Sequence, residues 1–200
     1  MEISESDREL INKGAVQYFD ALRALREFRE VILGLCVDVV QRRGEDLAKA
    51  MKARIDIGAA RDSIWPDRNE HLSKQALWSR AWIGRSLPFP DFGLAYWGIA
   101  CAPGSARRDK AIAVYALVGW ETNTAAIRDR ALPRLKEACA AEIDNRAGNE
   151  VEIREKLNNG EIDRFPEALD RITDQWIKIW QYVGGLPGIG ESAKQKASHG

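Results

Sequence analysis

A chain of 200 residues that is 45% apolar and 30% charged can build one ordinary hydrophobic core without disulfides or metal. Thirty basic side chains balance thirty acidic ones, so no overall charge attracts the chain to nucleic acid or to an anionic membrane. Locally charged surface patches are still compatible with this balance. The polar start has no secretory apolar region and no apolar run is long enough to cross a bilayer, which predicts a cytoplasmic protein without membrane association.

The first predicted element is a long amphipathic helix over about 6–43, capped by Ser4 or Ser6, with Glu9 completing a capping box in the second case. Unbroken it would be about 55 Å long, which exceeds the roughly 40–45 Å diameter of a compact domain of this size. The helix is therefore expected to bend at Gly14 or Gly34, or to project beyond the core. Its apolar residues recur at intervals of three and four, with Arg29 the one interruption: Ile11, Ala15, Tyr18, Leu22, Leu25, Ile32, Cys36 and Val39.

Phe19 and Phe28 flank this stripe, where a two-stranded coiled coil would carry charged residues. The wide apolar face favours a helix packed into a globular core or a bundle. Beyond Gly44 the pattern predicts a second, shorter helix over 45–57, and the breakers around Pro66 predict a loop over 62–72. Residues 76–85 are predicted to form a first strand, although a helix is also compatible with their pattern.

The strongest strand signal lies in mid-chain, at 92–121. Two apolar runs of about ten residues flank the turn signal Pro103-Gly104-Ser105, which predicts a β-hairpin. Both runs are apolar at odd and even positions, so the strands are expected to be central, with other elements covering both faces. The predicted sheet spans about 76–121 and has about three to four antiparallel strands.

The C-terminal part is predicted to be mainly helical. A helix over 124–144 should kink at Pro133, and a last helix over 166–184 carries Trp176 and Trp180 on its apolar face before a Gly-Gly stop. Residues 150–157 are compatible with a strand or a helix, and 188–200 are predicted to be a disordered tail. The predicted fold is a single α+β domain over 1–187, a small antiparallel sheet covered by the N- and C-terminal helices.

Sequence motifs give little support to catalysis. The chain has no P-loop, no dinucleotide fingerprint and no zinc-protease or hydrolase motif. Cys36, Cys101 and Cys139 are widely spaced in apolar surroundings, which is typical of buried free thiols. With only His71 and His199, the chain is poorly equipped for a histidine zinc site or a triad. No cofactor is predicted.

One pair of acidic residues suggests a metal-binding hypothesis. Asp91 precedes the first run of the hairpin and Glu121 ends the second, so the two carboxylates are expected to approach each other and could hold Mg²⁺. With Pro90-Asp91, this arrangement resembles the PD-(D/E)xK nucleases and would imply phosphodiester hydrolysis. The sequence departs from that family at Asn123, where the family has lysine. The alternative is that both acids are strand-end residues and that Glu121 caps the next helix.

Two further features are candidate binding sites. Arg107, Arg108 and Lys110 cluster at the predicted hairpin tip, where they could bind phosphates of a nucleic acid or an acidic protein surface, or simply be solvated. Trp65, in the loop before Pro66, is a candidate contact or lid residue, although most of the seven tryptophans are expected in the core.

The sequence identifies no family, and it favours a non-enzymatic cytoplasmic interaction protein: a regulator, an inhibitor or a subunit of a larger assembly. Its partner is predicted to be another protein or a second copy of the chain. Two alternatives stay open. One is a nucleic-acid-acting protein, either a divergent Mg-dependent nuclease or a phosphate-binding module. The other is a small-ligand sensor with an aromatic pocket between sheet and helices.

Overall fold

A computed structural model describes residues 4–65, 81–90, 92–103, 112–122, 124–138, 150–158 and 161–186. Within these ranges the chain forms three α-helices and a five-stranded sheet. In chain order the elements are α1 (Glu5–Met51), β1 (Arg61–Trp65), β2 (Ala81–Phe89), β3 (Gly93–Pro103), β4 (Ile112–Glu121), α2 (Ala125–Ala138), β5 (Glu150–Leu157) and α3 (Phe165–Val183).

The sheet is an antiparallel meander with the order β1-β2-β3-β4-β5. The predicted hairpin is confirmed: β3 pairs with β4 from Leu94 opposite Glu121 to Pro103 opposite Ile112. The α+β class is also confirmed, but the sheet has five strands rather than three to four. The additional strands are β1, which falls partly on a predicted loop, and β5, which settles residues 150–157 as a strand.

Alternation of side chains explains why 150–157 is a strand. Val151, Ile153 and Leu157 are buried on the face of β5 that joins the main core. Glu152, Arg154 and Lys156 point to the other face, as the period of two in a strand requires, and Glu155, on the core side, pairs with Arg171 of α3. The pattern suits a strand with one face under a helix, and α3 packs against β4 and β5.

The main core lies between one face of the sheet and the helices. Trp97 and Trp120 project from β3 and β4, Trp176 and Trp180 project from α3, and all four are fully buried. Trp180 stacks edge-to-face on Trp120 at 5.5 Å and on Trp176 at 5.6 Å. Such buried aromatic pairs contribute more than their buried area alone. The predicted neighbourhood of the N- and C-terminal helices is confirmed, because α1 and α3 contact each other and the same sheet face.

The sequence predicts that other elements cover both faces of the sheet, but none of the described helices covers the second face. Its buried apolar residues, Tyr96, Ala100 and Leu117, pack with Trp82 and Leu94, all of them strand residues. In the described part of the chain, no helix residue joins this cluster. The mid-chain runs are therefore apolar on both faces for two reasons: one face meets helices, and the other is buried by its own large aromatic side chains.

Helix α1 is one continuous helix rather than two. Gly44, where a break was predicted, is buried, and a Cβ added there would lie 3.4 Å from Ile55 and 3.6 Å from Leu87. A residue without a side chain allows the neighbouring chain to pack closely at this point, and one glycine in a long helix costs only about 1 kcal/mol. The helix ends where Lys52 adopts a left-handed conformation. Its 47 residues correspond to about 70 Å.

The remaining helices agree broadly with their predictions. Helix α2 continues as one helix through Pro133. Residues 139–144, the predicted end of this helix, lie outside the described part. Helix α3 has Pro166 in its first turn and ends at Gly184, which has a φ of 80° that suits glycine. The predicted tail over 188–200 also lies outside the described residues.

Candidate interaction surface

The N-terminal part of α1 projects from the body of the protein. We call residues 5–31 the arm. Within it Ala15 and Arg29 are half-buried and every other residue is exposed, and continuous burial of the apolar face begins at Ile32. The arm is about 40 Å long at 1.5 Å per residue. Of the two predicted outcomes for this helix, the projection is the one the structure shows.

The arm carries an exposed apolar stripe along one face. Seven large apolar side chains belong to it: Leu10 (69% exposed), Ile11 (56%), Tyr18 (61%), Phe19 (64%), Leu22 (42%), Leu25 (39%) and Phe28 (37%). At 100° per residue the stripe continues directly into Ile32, Cys36 and Val39, which are buried in the core. The prediction that this face packs in a globular core is therefore correct for α1 from Ile32 onward and wrong for the arm.

The arm is firmly anchored at its base. Arg42 donates to Asp38 on its own helix and to Asp170 on α3, and Arg43 pairs with Asp174 one turn further along α3. Cys36, on the same helix, lies in the core near Arg85 of β2, and burial raises the pKa of its thiol to about 12. The predicted inert, buried thiol is thus supported for Cys36. Because the base is packed, the arm's direction is fixed relative to the body.

Charges are unevenly distributed along the arm. The first turns carry three acids (Glu5, Asp7 and Glu9) and one base (Arg8), and the stretch 23–29 carries three arginines (Arg23, Arg26 and Arg29) and one acid (Glu27). Arg26 donates to Glu30 at 3.0 Å and Arg23 lies 3.8 Å from Asp20, both on the exposed surface. Such exposed pairs contribute little to stability. The arm therefore has an acidic tip, and we call its basic stretch 23–29, which lies at the middle of α1, the basic middle.

A second feature is a cleft of about 690 Å³ on the sheet face that the described helices leave open. It is lined by Arg61, Asp62, Ser63, Trp82, Ser86, Leu94, Tyr96, Glu121, Glu150 and Glu152. The hydroxyl of Tyr96 donates to Glu152 at 3.2 Å, and Arg154 also pairs with this buried carboxylate. The cleft thus combines an aromatic floor with several carboxylates and one guanidinium group.

Glycines make room for the aromatic floor. A Cβ added to Gly119 would lie 2.5 Å from the Tyr96 ring, and one added to Gly84 would lie 2.3 Å from the Trp82 ring. The Tyr96 ring therefore lies across Gly119 of the neighbouring strand β4, and the Trp82 ring lies across Gly84 of its own strand. They meet edge-to-face at 5.5 Å. Gly119 stands directly opposite Tyr96 in the β3–β4 register.

The residues predicted as sites are only partly described. Glu121 ends β4 opposite Leu94 and lines the cleft. Trp65 ends β1 opposite Trp82 rather than lying in a loop. Asp91, Arg107, Arg108 and Lys110 lie outside the described residues, so the Mg²⁺ pair and the basic patch stay predictions. Within the described ranges, no three His, Cys, Asp or Glu side chains are grouped so that they could hold a metal ion.

Comparison of the chain with protein-family models, with curated proteins and with solved structures finds no significant match. In the part of the chain that the structure describes, none of the helices has an 18-residue stretch apolar enough to cross a bilayer.

Proposed function

We propose that this is a non-enzymatic interaction protein, a regulator, inhibitor or assembly subunit, that binds another protein chain through the apolar stripe of its arm. The observation that carries the proposal is the continuity of the stripe. One amphipathic face is buried against the body from Ile32 onward and exposed from Leu10 to Phe28. A surface helix normally buries such a face, because most helical stability in proteins comes from packing it.

The exposed area is large enough for a specific interface. With full areas of roughly 190–240 Å² per side chain, the seven stripe residues expose about 750 Å², close to the roughly 800 Å² that each partner contributes to a stable complex. Contiguous apolar patches of this size on a protein surface are typical of interaction sites. Tyr18, Phe19 and Phe28 supply the aromatic side chains that commonly dominate binding energy.

The test is a pair of matched arm variants. Leu22→Glu with Leu25→Glu places two charges in the stripe, and neither side chain belongs to the body core. Val16→Glu places one charge on the opposite side of the same helix, where Val16 is 63% exposed, and serves as control. Circular dichroism and thermal unfolding check that both variants keep the fold.

Two measurements then report on association: sedimentation of the pure protein, and capture of a partner from the lysate of its native cell by tagged protein. The proposal requires the stripe variant to lose at least one association that wild type and Val16→Glu both show. If wild type neither self-associates nor captures a partner, or if the stripe variant behaves like the control in both measurements, the proposal is wrong.

A second candidate function, ligand binding, is favoured by the cleft. Its aromatic pair, Trp82 and Tyr96, lies beside Glu121, Glu150 and Glu152. Aromatic faces and carboxylates together suit a small cationic ligand. The predicted pocket between sheet and helices is a different place, which the buried tryptophans of the core occupy. Fluorescence quenching by a panel of amines in wild type but not in Trp82→Phe would support the candidate, and equal responses of the two proteins would reject it.

A further inference from the structure

We infer that the arm binds the arm of a second copy of this chain, with the two helices antiparallel and centred between Ala15 and Tyr18. This inference rests on the proposed function and names the partner of the same surface. Three independent features of the arm support this pairing: the spacing of its apolar residues, the distribution of its charges and the position of the body.

The spacing of the stripe fits an antiparallel partner. Ile11, Ala15, Tyr18 and Leu22 alternate at intervals of four and three. This is the repeat of the a and d positions that form layers between packed helices. If Ala15 faces Tyr18 of the second copy, Ile11 faces Leu22 in the same register. The antiparallel pair has a two-fold axis, so each of these contacts occurs twice. Each central layer then sets the small Ala15 against the large Tyr18 ring.

The charges favour the same register. It places the acidic tip, residues 5–9, level with residues 24–28 of the second copy, within the basic middle. The tip has a net charge of −2 from Glu5, Asp7 and Glu9 against Arg8, and the stretch 23–29 has a net charge of +2 from three arginines against Glu27. A parallel pair would instead set acidic tip on acidic tip and basic middle on basic middle. Opposite charges across an interface fix register, and like charges oppose it.

The body leaves room for the overlap. Since α1 begins at Glu5, the antiparallel register places Glu5 level with Phe28 of the second copy. The helix start of one copy therefore lies about one turn short of Ile32, where the other copy's body begins. The overlap spans about 36 Å of each arm and includes the positions of all seven stripe residues. Phe19 and Phe28, which flank the two-helix seam, would be covered further if two such pairs associate.

The experiment uses full-length protein and charge reversal. Arg23→Glu with Arg26→Glu makes the middle acidic, and the fourfold variant adds Glu5→Lys with Glu9→Lys, which makes the tip basic. In the antiparallel pair the first variant opposes acid to acid and should weaken self-association by about tenfold or more. The fourfold variant restores opposite charges and should recover most of that loss. Circular dichroism checks that both variants keep the same helix content.

Sedimentation equilibrium at low and moderate salt gives the mass and the dissociation constants. The expected result is an even number of copies, with weakening by the first variant and recovery by the fourfold variant. A monomeric wild type overturns the inference, and so does a fourfold variant that associates no better than the first. The two failures are distinguishable: a monomer that still captures a cellular partner through the stripe leaves the proposed function standing.

Discussion

Substituting Gly119 by alanine should destabilise the protein by displacing Tyr96. A Cβ at position 119 would lie 2.5 Å from Cζ and Oη of the Tyr96 ring, against an ordinary contact of 3.4–4 Å. The ring must therefore move by about 1 Å, or the strands must separate. The bond from the Tyr96 hydroxyl to Glu152 is already 3.2 Å long, so a shift of that size breaks it.

The magnitude follows from two opposing contributions. A hydrogen bond to a charged acceptor contributes about 1.5–3 kcal/mol, and Tyr96 and Glu152 are both buried, so solvent does not replace it. Alanine in place of glycine regains about 0.5–1 kcal/mol by lowering the entropy of the unfolded chain. The expected net loss in the free energy of unfolding is therefore about 1–2 kcal/mol.

Urea denaturation of Gly119→Ala, Tyr96→Leu and the double variant would measure this coupling. In the Tyr96→Leu background the ring is absent, so Gly119→Ala should be neutral or slightly stabilising. An equal cost in both backgrounds would refute the reasoning, because the penalty would then come from the strand backbone rather than from the ring. A neutral Gly119→Ala in the wild-type background would refute it as well.

Three other predictions concern the core and the long helix. The pKa of Cys36 is raised from 9.0 to about 12. The unfolded state therefore loses its proton first, and stability should fall by up to about 4 kcal/mol as pH rises from 9 to 12, in wild type but not in Cys36→Ala, measured by urea denaturation. Gly34 is exposed within α1 with nothing near an added Cβ, so Gly34→Ala should stabilise by about 1 kcal/mol, seen as a higher urea midpoint; an unchanged or lower midpoint would contradict this. Trp180→Ala should cost about 3–5 kcal/mol by leaving a cavity beside Trp120, whereas Tyr182→Ala, at an 82% exposed position, should change the thermal midpoint little; similar losses for both would contradict the placement of Trp180.

The candidate functional residues are harder to predict from the sequence than the fold. Glu121 was singled out for a metal, and the structure places it on a cleft that sequence reasoning did not anticipate. The cleft depends on the Tyr96 ring lying over Gly119 and the Trp82 ring reaching Gly98, both of them glycines of an adjacent strand. Only a knowledge of strand register brings these residues together, and register depends on the whole sheet.

The sequence by itself determined the local elements. Spacings of three and four determined α1 and α3, continuous apolar runs around a Pro-Gly turn determined β3 and β4, and Gly184 marked the end of α3. These signals are local because they depend on backbone periodicity and on which φ a residue tolerates. They identify which face of an element is apolar.

Tertiary structure decided what covers each apolar face. The same stripe of α1 is core at Ile32 and surface at Leu25, although the residue types and their spacing do not change between them. The difference arises because the sheet and α3 reach only the C-terminal part of the helix. Burial is a property of contacts between distant segments, so periodicity reveals that a face needs a partner but not whether its own chain supplies one.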